Sequence, residues 1–341
     1  MDGEVFFESV FDVQKAYEEG FVGAMCDPER TDALKAAIAE AGGIPEGAMA
    51  CSAYGLEETG KGKLSAPFLD VLSLYPDCLP GGAQGRGDCV SWSTRNAGLV
   101  TMCTDITSGL ADEETGNVEG APEVSDKARL NGVISTEAIY NWRRHGGDGW
   151  FCSDAARVVM KESGLWLRKN YPEIKVDFEQ YSSRNAGIYG SSTPPKSWLE
   201  IGQQHLIRTT TVLNSYEELR DMLANGYGVS SCGGESFSDQ RDSNGVSKRT
   251  SKGWAHAMAY IAADERPEII EVYKEPLICV QNSWGNWNDG SRKIMDTNFL
   301  IPIGAFWARW SDLKNRDMIA FSSFNGWKRK ALRSWGALGN I

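Results

Sequence analysis

Long apolar runs are missing from this 341-residue chain. No stretch approaches the roughly 18 unbroken apolar residues that a bilayer span needs, so a membrane-spanning protein is not expected. Metal-ligand spacing is missing as well. There are three histidines, and the eight cysteines (26, 51, 78, 89, 103, 152, 232 and 279) include no CxxC pair. That scatter argues against a zinc site and against a dense disulfide framework, and it reads most cysteines as buried thiols. No metal or other cofactor is called for. Positive charge is scarce: 35 basic against 46 acidic residues give a net −11, which disfavours broad nucleic-acid binding. The short basic runs Arg143-Arg144 and Lys328-Arg329-Lys330 read as solvated faces. The opening MDGEVFFESV has neither the basic nor the apolar stretch of a secretory signal, so a cytoplasmic or virion-associated setting is expected over a secreted one.

The composition that is present is ordinary for a globular protein, and the length suits one large domain or two smaller ones. Residues 1–75 read as a preface. Asp27-Pro28-Glu29 has the form of a cap and first helical turn, and Leu34, Ala37, Ile38 and Ala41 recur at helical spacing until Gly42-Gly43. Residues 60–87 read as an extended loop. Asp88 is placed to cap a helix over 88–108, where Val90, Trp92, Ala97, Leu99, Val100 and Cys103 form a mostly buried cylinder. An acidic loop over 109–130, a helix over 153–161 and loop chemistry over 181–203 follow. After residue 205 the segments HLIRTTTVL, YGVSSC, HAMAYIAA, EIIEVY, LICVQNS and FLIPI read as strands. Ser215 to Ala224 reads as a helix with Ser215 and Glu218 as a capping box. A helical first half and a strand-rich second half give an α+β chain of two lobes, with a cleft for substrate between them.

Three residues stand out chemically. Cys89 falls in the first turn of the 88–108 helix, where unpaired N–H groups and the helix dipole favour negative charge on sulfur. Asp88 opposes this, because a neighbouring carboxylate disfavours a second anion. The plain alternative is a small buried core cysteine. His256 opens an apolar strand and Asn282 ends another; each alone reads as structural. Taken in order, Cys, His and Asn make the set of a thiol hydrolase, in which Asn orients the imidazole that takes the thiol proton.

These residues resemble the papain family of cysteine peptidases. Gln84-Gly85-Arg86-Gly87-Asp88-Cys89-Val90-Ser91-Trp92 resembles its active-site Gln, Cys and helix; Ala255-His256-Ala257-Met258 resembles its histidine strand; Asn282-Ser283-Trp284-Gly285 is its asparagine motif letter for letter. Gly164 to Pro172 and Tyr216 to Ser231 agree in order, so the likeness spans roughly residues 76–310. It implies a papain-like two-lobe fold, with a helical L lobe carrying Cys89 and a strand-rich, β-barrel-like R lobe carrying His256 and Asn282. It also implies a Cys89 thiolate paired with a His256 imidazolium, and Gln84 beside the Cys89 N–H as oxyanion donor. Trp284 would shield the Asn282–His256 bond, and Gly149 would pair with substrate backbone. Three departures stand beside these matches. The Gln84–Cys89 spacing is one residue short, Val90 and Asp88 replace the usual neighbours, and Arg86 stands near the place of a family disulfide cysteine. Residues 1–75 lack the long charged helices of an inhibitory propeptide and read as an extension of another kind, with 76–341 as the peptidase domain. The expected partner is a peptide or protein substrate. The alternative reading is a structural component of a larger assembly, such as a phage or virus particle, or a homo-oligomer, with catalysis reduced or lost.

Overall fold

The computed structural model describes residues 23–43, 50–108, 133–205, 207–323, 326–330 and 332. The opening MDGEVFFESV and the acidic stretch 109–130 lie outside the described residues. Strand β1 (Ala24–Met25) leads into helix α1 (Pro28–Glu40), followed by α2 (Ala50–Ala53), β2 (Leu64–Ser65), α3 (Phe68–Leu74) and the long α4 (Cys89–Thr107). Next come α5 (Thr136–Tyr140), β3 (Trp150–Phe151), α6 (Cys152–Lys161), the paired β4 (Asn170–Tyr171) and β5 (Val176–Asp177), α7 (Ser183–Gly190) and α8 (Lys196–Gly202). The remainder is β6 (Thr210–Leu213), α9 (Tyr216–Ala224), β7 (Val229–Arg241), β8 (Ser247–Asp264), α10 (Pro267–Tyr273), β9 (Leu277–Gln281), β10 (Ala305–Arg309), α11 (Trp310–Leu313) and β11 (Asp317–Phe321).

One antiparallel sheet runs in the order β10-β9-β8-β7-β11-β6, with β2 added along β8. The chain is therefore α+β, helices first and sheet second, as its sequence and its family resemblance imply. Helix α4 lies against β7 and β8 and is buried on nearly every side. Three of its buried polar side chains bond a carbonyl: Ser93 Oγ donates to Met258 (2.6 Å), Thr101 Oγ1 to Phe321 (3.0 Å) and Arg95 Nη1 to Pro80 (2.9 Å). At Gly228, just before β7, an added Cβ would stand 2.2 Å from the Ala97 carbonyl oxygen. Only glycine lets helix and sheet approach this closely.

A smaller aromatic cluster, Trp166, Tyr171, Phe178 and Trp198 with Ala138 and Val176, fills the far side of the helical region. A disulfide between Cys152 at the start of α6 and Cys232 in β7 joins helical region to sheet across 80 residues of sequence. Cys26, Cys51, Cys78, Cys103 and Cys279 remain thiols, all but Cys26 buried.

Several element expectations need correction. The 60–87 loop contains β2 and α3, and the 181–203 loop contains α7 and α8. EIIEVY is helical: Pro267 occupies the opening turn of α10, which suits its fixed φ. FLIPI forms no strand beyond a single bridge from Leu300 to Lys293, since Pro302 cannot donate to a ladder. HLIRTTTVL supplies a strand over its last four residues, Thr210–Leu213.

Candidate active site

Asp88 occupies the N-cap position of α4 and Cys89 its first turn, as the sequence suggests. The Ala257 N–H points at Cys89 Sγ, 3.4 Å away. Ala257 follows His256 in β8, so sheet pairing brings the imidazole strand onto the helix tip. Asn282 follows the last residue of β9, the neighbour of β8. Asn282 Oδ1 lies 2.8 Å from His256 Nε2 and also accepts the Ser283 N–H at 2.7 Å. An oxygen already receiving one donor fixes the tautomer: Nε2 carries the hydrogen, and Nδ1 is the basic nitrogen. The three residues named from the sequence thus meet in one place.

Trp284 stacks on the imidazole, with ring centroids 4.7 Å apart and planes 25° from parallel. Trp254 and Trp287 pack edge-on against Trp284. This apolar wall keeps water off the His256–Asn282 bond. His256, Asn282 and Cys89 are all fully buried. Burial pushes the imidazole down to about 3. Burial thus favours the neutral imidazole, a proton acceptor.

Gln84 belongs to the loop that enters α4. Its backbone N–H donates to the Ser283 carbonyl (2.8 Å), its Oε1 accepts from Ser283 Oγ, and its Nε2 donates to the Arg86 carbonyl (2.6 Å). The Gln84 and asparagine loops are thereby stitched together. Where the family would place a disulfide cysteine, Arg86 is buried and ion-paired to Asp148 at 2.5 Å, and Asp148 also accepts the Gly87 N–H. Gly149, with φ +88°, gives its N–H to the Gly87 carbonyl. The neighbouring Trp150 N–H meets the Gly23 carbonyl (3.2 Å), and the Gly23 N–H meets the Ala255 carbonyl (3.0 Å). The backbone at residues 23–25 thus bridges β3 and the histidine strand. A cavity of about 320 Å³ opens nearby, lined in part by Gly82, Gly285 and Asn286.

Two residues of this neighbourhood escaped the sequence reading. Arg316 is buried beneath the histidine: its Nη2 donates to the His256 carbonyl (2.6 Å), its Nε to Ser231 Oγ (3.0 Å), and its Nη1 pairs with Glu235 (3.2 Å). Tyr181 donates its hydroxyl hydrogen to Asp88 Oδ2 (3.0 Å) and accepts the Gly85 N–H (3.0 Å). Asp88 is wholly buried, and burial pushes its carboxyl up to about 8.

No family model and no curated protein matches the chain. Similar solved structures include xylellain, a cysteine protease from Xylella fastidiosa, at 17% identity and TM-score 0.44, covering 71% of this chain and 82% of that one. The proform of Amb a 11, a ragweed pollen cysteine protease, aligns at 12% identity and TM-score 0.42 over 92% of both chains. Digestive procathepsin L2 from Tenebrio molitor larval midgut aligns at 13% and 0.42, covering 91% of this chain and 88% of that one.

Among the described residues no group of three or more His, Cys, Asp or Glu is placed to hold a metal ion, and no helix is long and apolar enough to cross a membrane.

Proposed function

We propose that the chain is a divergent papain-like cysteine peptidase that hydrolyses peptide bonds through Cys89. The observation that supports this most is the meeting of a helix-tip sulfur with the strand of a neutral histidine whose ring is fixed by an asparagine.

In this reading His256 Nδ1 takes the Cys89 proton and the sulfur attacks the peptide carbonyl. The Cys89 N–H and the Gln84 side-chain amide stabilise the oxyanion. His256 then gives the proton to the leaving amine, and water, activated by the same ring, hydrolyses the thioester. Asn282 holds the tautomer that makes both transfers possible, under the cover of Trp284. Trp150 beside Gly149, together with the Ala255 carbonyl, offers one donor and one acceptor to extended substrate backbone, the pair that residue 23 occupies here. Substrate entry then requires β1 to move aside. Residues 1–75 stand in this reading as an extension and 76–341 as the peptidase domain.

The test is alkylation of the full chain with iodoacetamide, followed peptide by peptide by mass spectrometry, alongside cleavage of a mixed peptide pool. Cys89 is expected to label faster than free cysteine, and Cys89→Ala to lose at least about 1,000-fold in cleavage. Labelling of Cys89 no faster than free cysteine would overturn the proposal.

A further inference from the structure

Asp88 holds the position where a carboxylate normally accepts the N–H of the second or third helical residue, yet its side chain makes no cap bond to α4. The carboxyl is turned to Tyr181 instead, whose hydroxyl donates to Oδ2. Oδ1 has no hydrogen-bond partner among the described residues, although the residue is fully buried. A buried, half-satisfied carboxylate anion is costly, whereas a carboxylic acid at the same place is cheap. The next residue in the chain is Cys89, whose sulfur draws on the same helix-tip field.

We propose that Asp88 is a positioning residue that keeps its proton, steered off the helix by Tyr181, so that the Cys89 sulfur is the single anion carried by the tip of α4. The inference rests on the peptidase reading of Cys89 and deepens it. The other charged groups around Asp88 leave it without a dedicated counter-charge. Arg86 is engaged with Asp148. Glu137 is engaged with Arg168, Ser135, Thr136 and the Ser182 N–H. Asp148 and Glu137 push the Asp88 carboxyl further up, and only Arg86 and the Tyr181 bond pull it down. Coupling between neighbouring anions is reciprocal: whatever the thiolate adds to the proton affinity of Asp88, an ionised Asp88 adds to that of the thiol.

The test is a carbon-13 NMR titration of the full chain with labelled aspartate, the Asp88 signal being the one absent from Asp88→Asn. It is run before and after Cys89 is blocked with iodoacetamide, so that no variant has to fold for the comparison itself. Asp88 is expected to titrate at about 8 or above in the native chain, and at least about one pH unit lower once the sulfur can no longer ionise. Tyr181→Phe, which removes the donor to the carboxylate, should move the midpoint up. A midpoint in the ordinary carboxylate range, or one that ignores the blocking of Cys89, overturns the proposal. The alkylation rate of Cys89 in the same sample separates the two readings. Slow labelling defeats the peptidase reading, whereas fast labelling with an unmoved Asp88 defeats this one alone.

Discussion

At the scale of single residues, the site was legible where chemistry demands a side chain and illegible where it demands only a carbonyl partner. Cys89, His256 and Asn282 could be named in advance because the segments around them resemble papain-family motifs and a thiol, an imidazole and an amide suit the chemistry that resemblance implies. Trp284 came with the motif around Asn282 and does cover the ring. Arg316 left no such trace. In Lys314-Asn315-Arg316-Asp317 it looks like one more surface charge, yet it is buried, and two of its partners are the backbone oxygens of His256 and Ser231. Removing one member of a buried pair strands the other, so Arg316→Ala should cost on the order of 3–5 kcal/mol in urea unfolding. It should also slow Cys89 alkylation, because the backbone of His256 loses its support. Unchanged unfolding would show that Glu235 and the His256 carbonyl find other partners.

At the scale of elements, the caps at Asp27 and Ser215 and the apolar periods were read well, whereas the glycine-rich stretches and the Asp88 cap, which makes no bond to its helix, were not. Asp27 does accept the Glu29 N–H (3.0 Å), and Ser215 the Glu218 N–H (3.2 Å). Glu218 reaches the Asn214 N–H rather than that of Ser215, which shifts the expected capping box by one residue. Arg184-Asn185-Ala186-Gly187 reads as loop by propensity but is helical, because Ser182 caps it and Gly187 clears the Arg86 guanidinium. There packing overrides propensity. Gly228 is the converse case, a glycine whose spacing from α4 sets how near the sheet can come. Gly228→Ala should lower stability by about 1–3 kcal/mol through backbone displacement, read as a lower urea midpoint. A midpoint equal to the parent's would mean that the strand yields without cost.

At the scale of the whole molecule, two buried groups tilt stability against pH in opposite directions. His256 binds its proton only near 3 when folded but near 6.5 when unfolded, so its contribution is lost as pH falls below 6.5. Asp88 binds its proton up to about 8 when folded but only to 3.8 when unfolded, so its contribution is lost as pH rises above 3.8. Between 3.8 and 6.5 the two slopes oppose each other. Relative to the parent chain, His256→Asn should lose about 2–3 kcal/mol on going from pH 4.5 to 6.5, and Asp88→Asn should gain about as much. Urea unfolding at the two pH values checks both signs, and parallel slopes in all three chains would refute the pair.

The bridge between Cys152 and Cys232 carries a consequence for where such a molecule can work. In the proposed reading the Cys89 sulfur must stay unoxidised, while Cys152 in α6 and Cys232 in β7, the strand next to that of His256, must stay joined. Surroundings that are too reducing would open the bridge, and surroundings that are too oxidising would carry the Cys89 thiol up the ladder to sulfenic and sulfinic acid. If Cys89 acts as proposed, sulfur chemistry bounds the working environment on both sides.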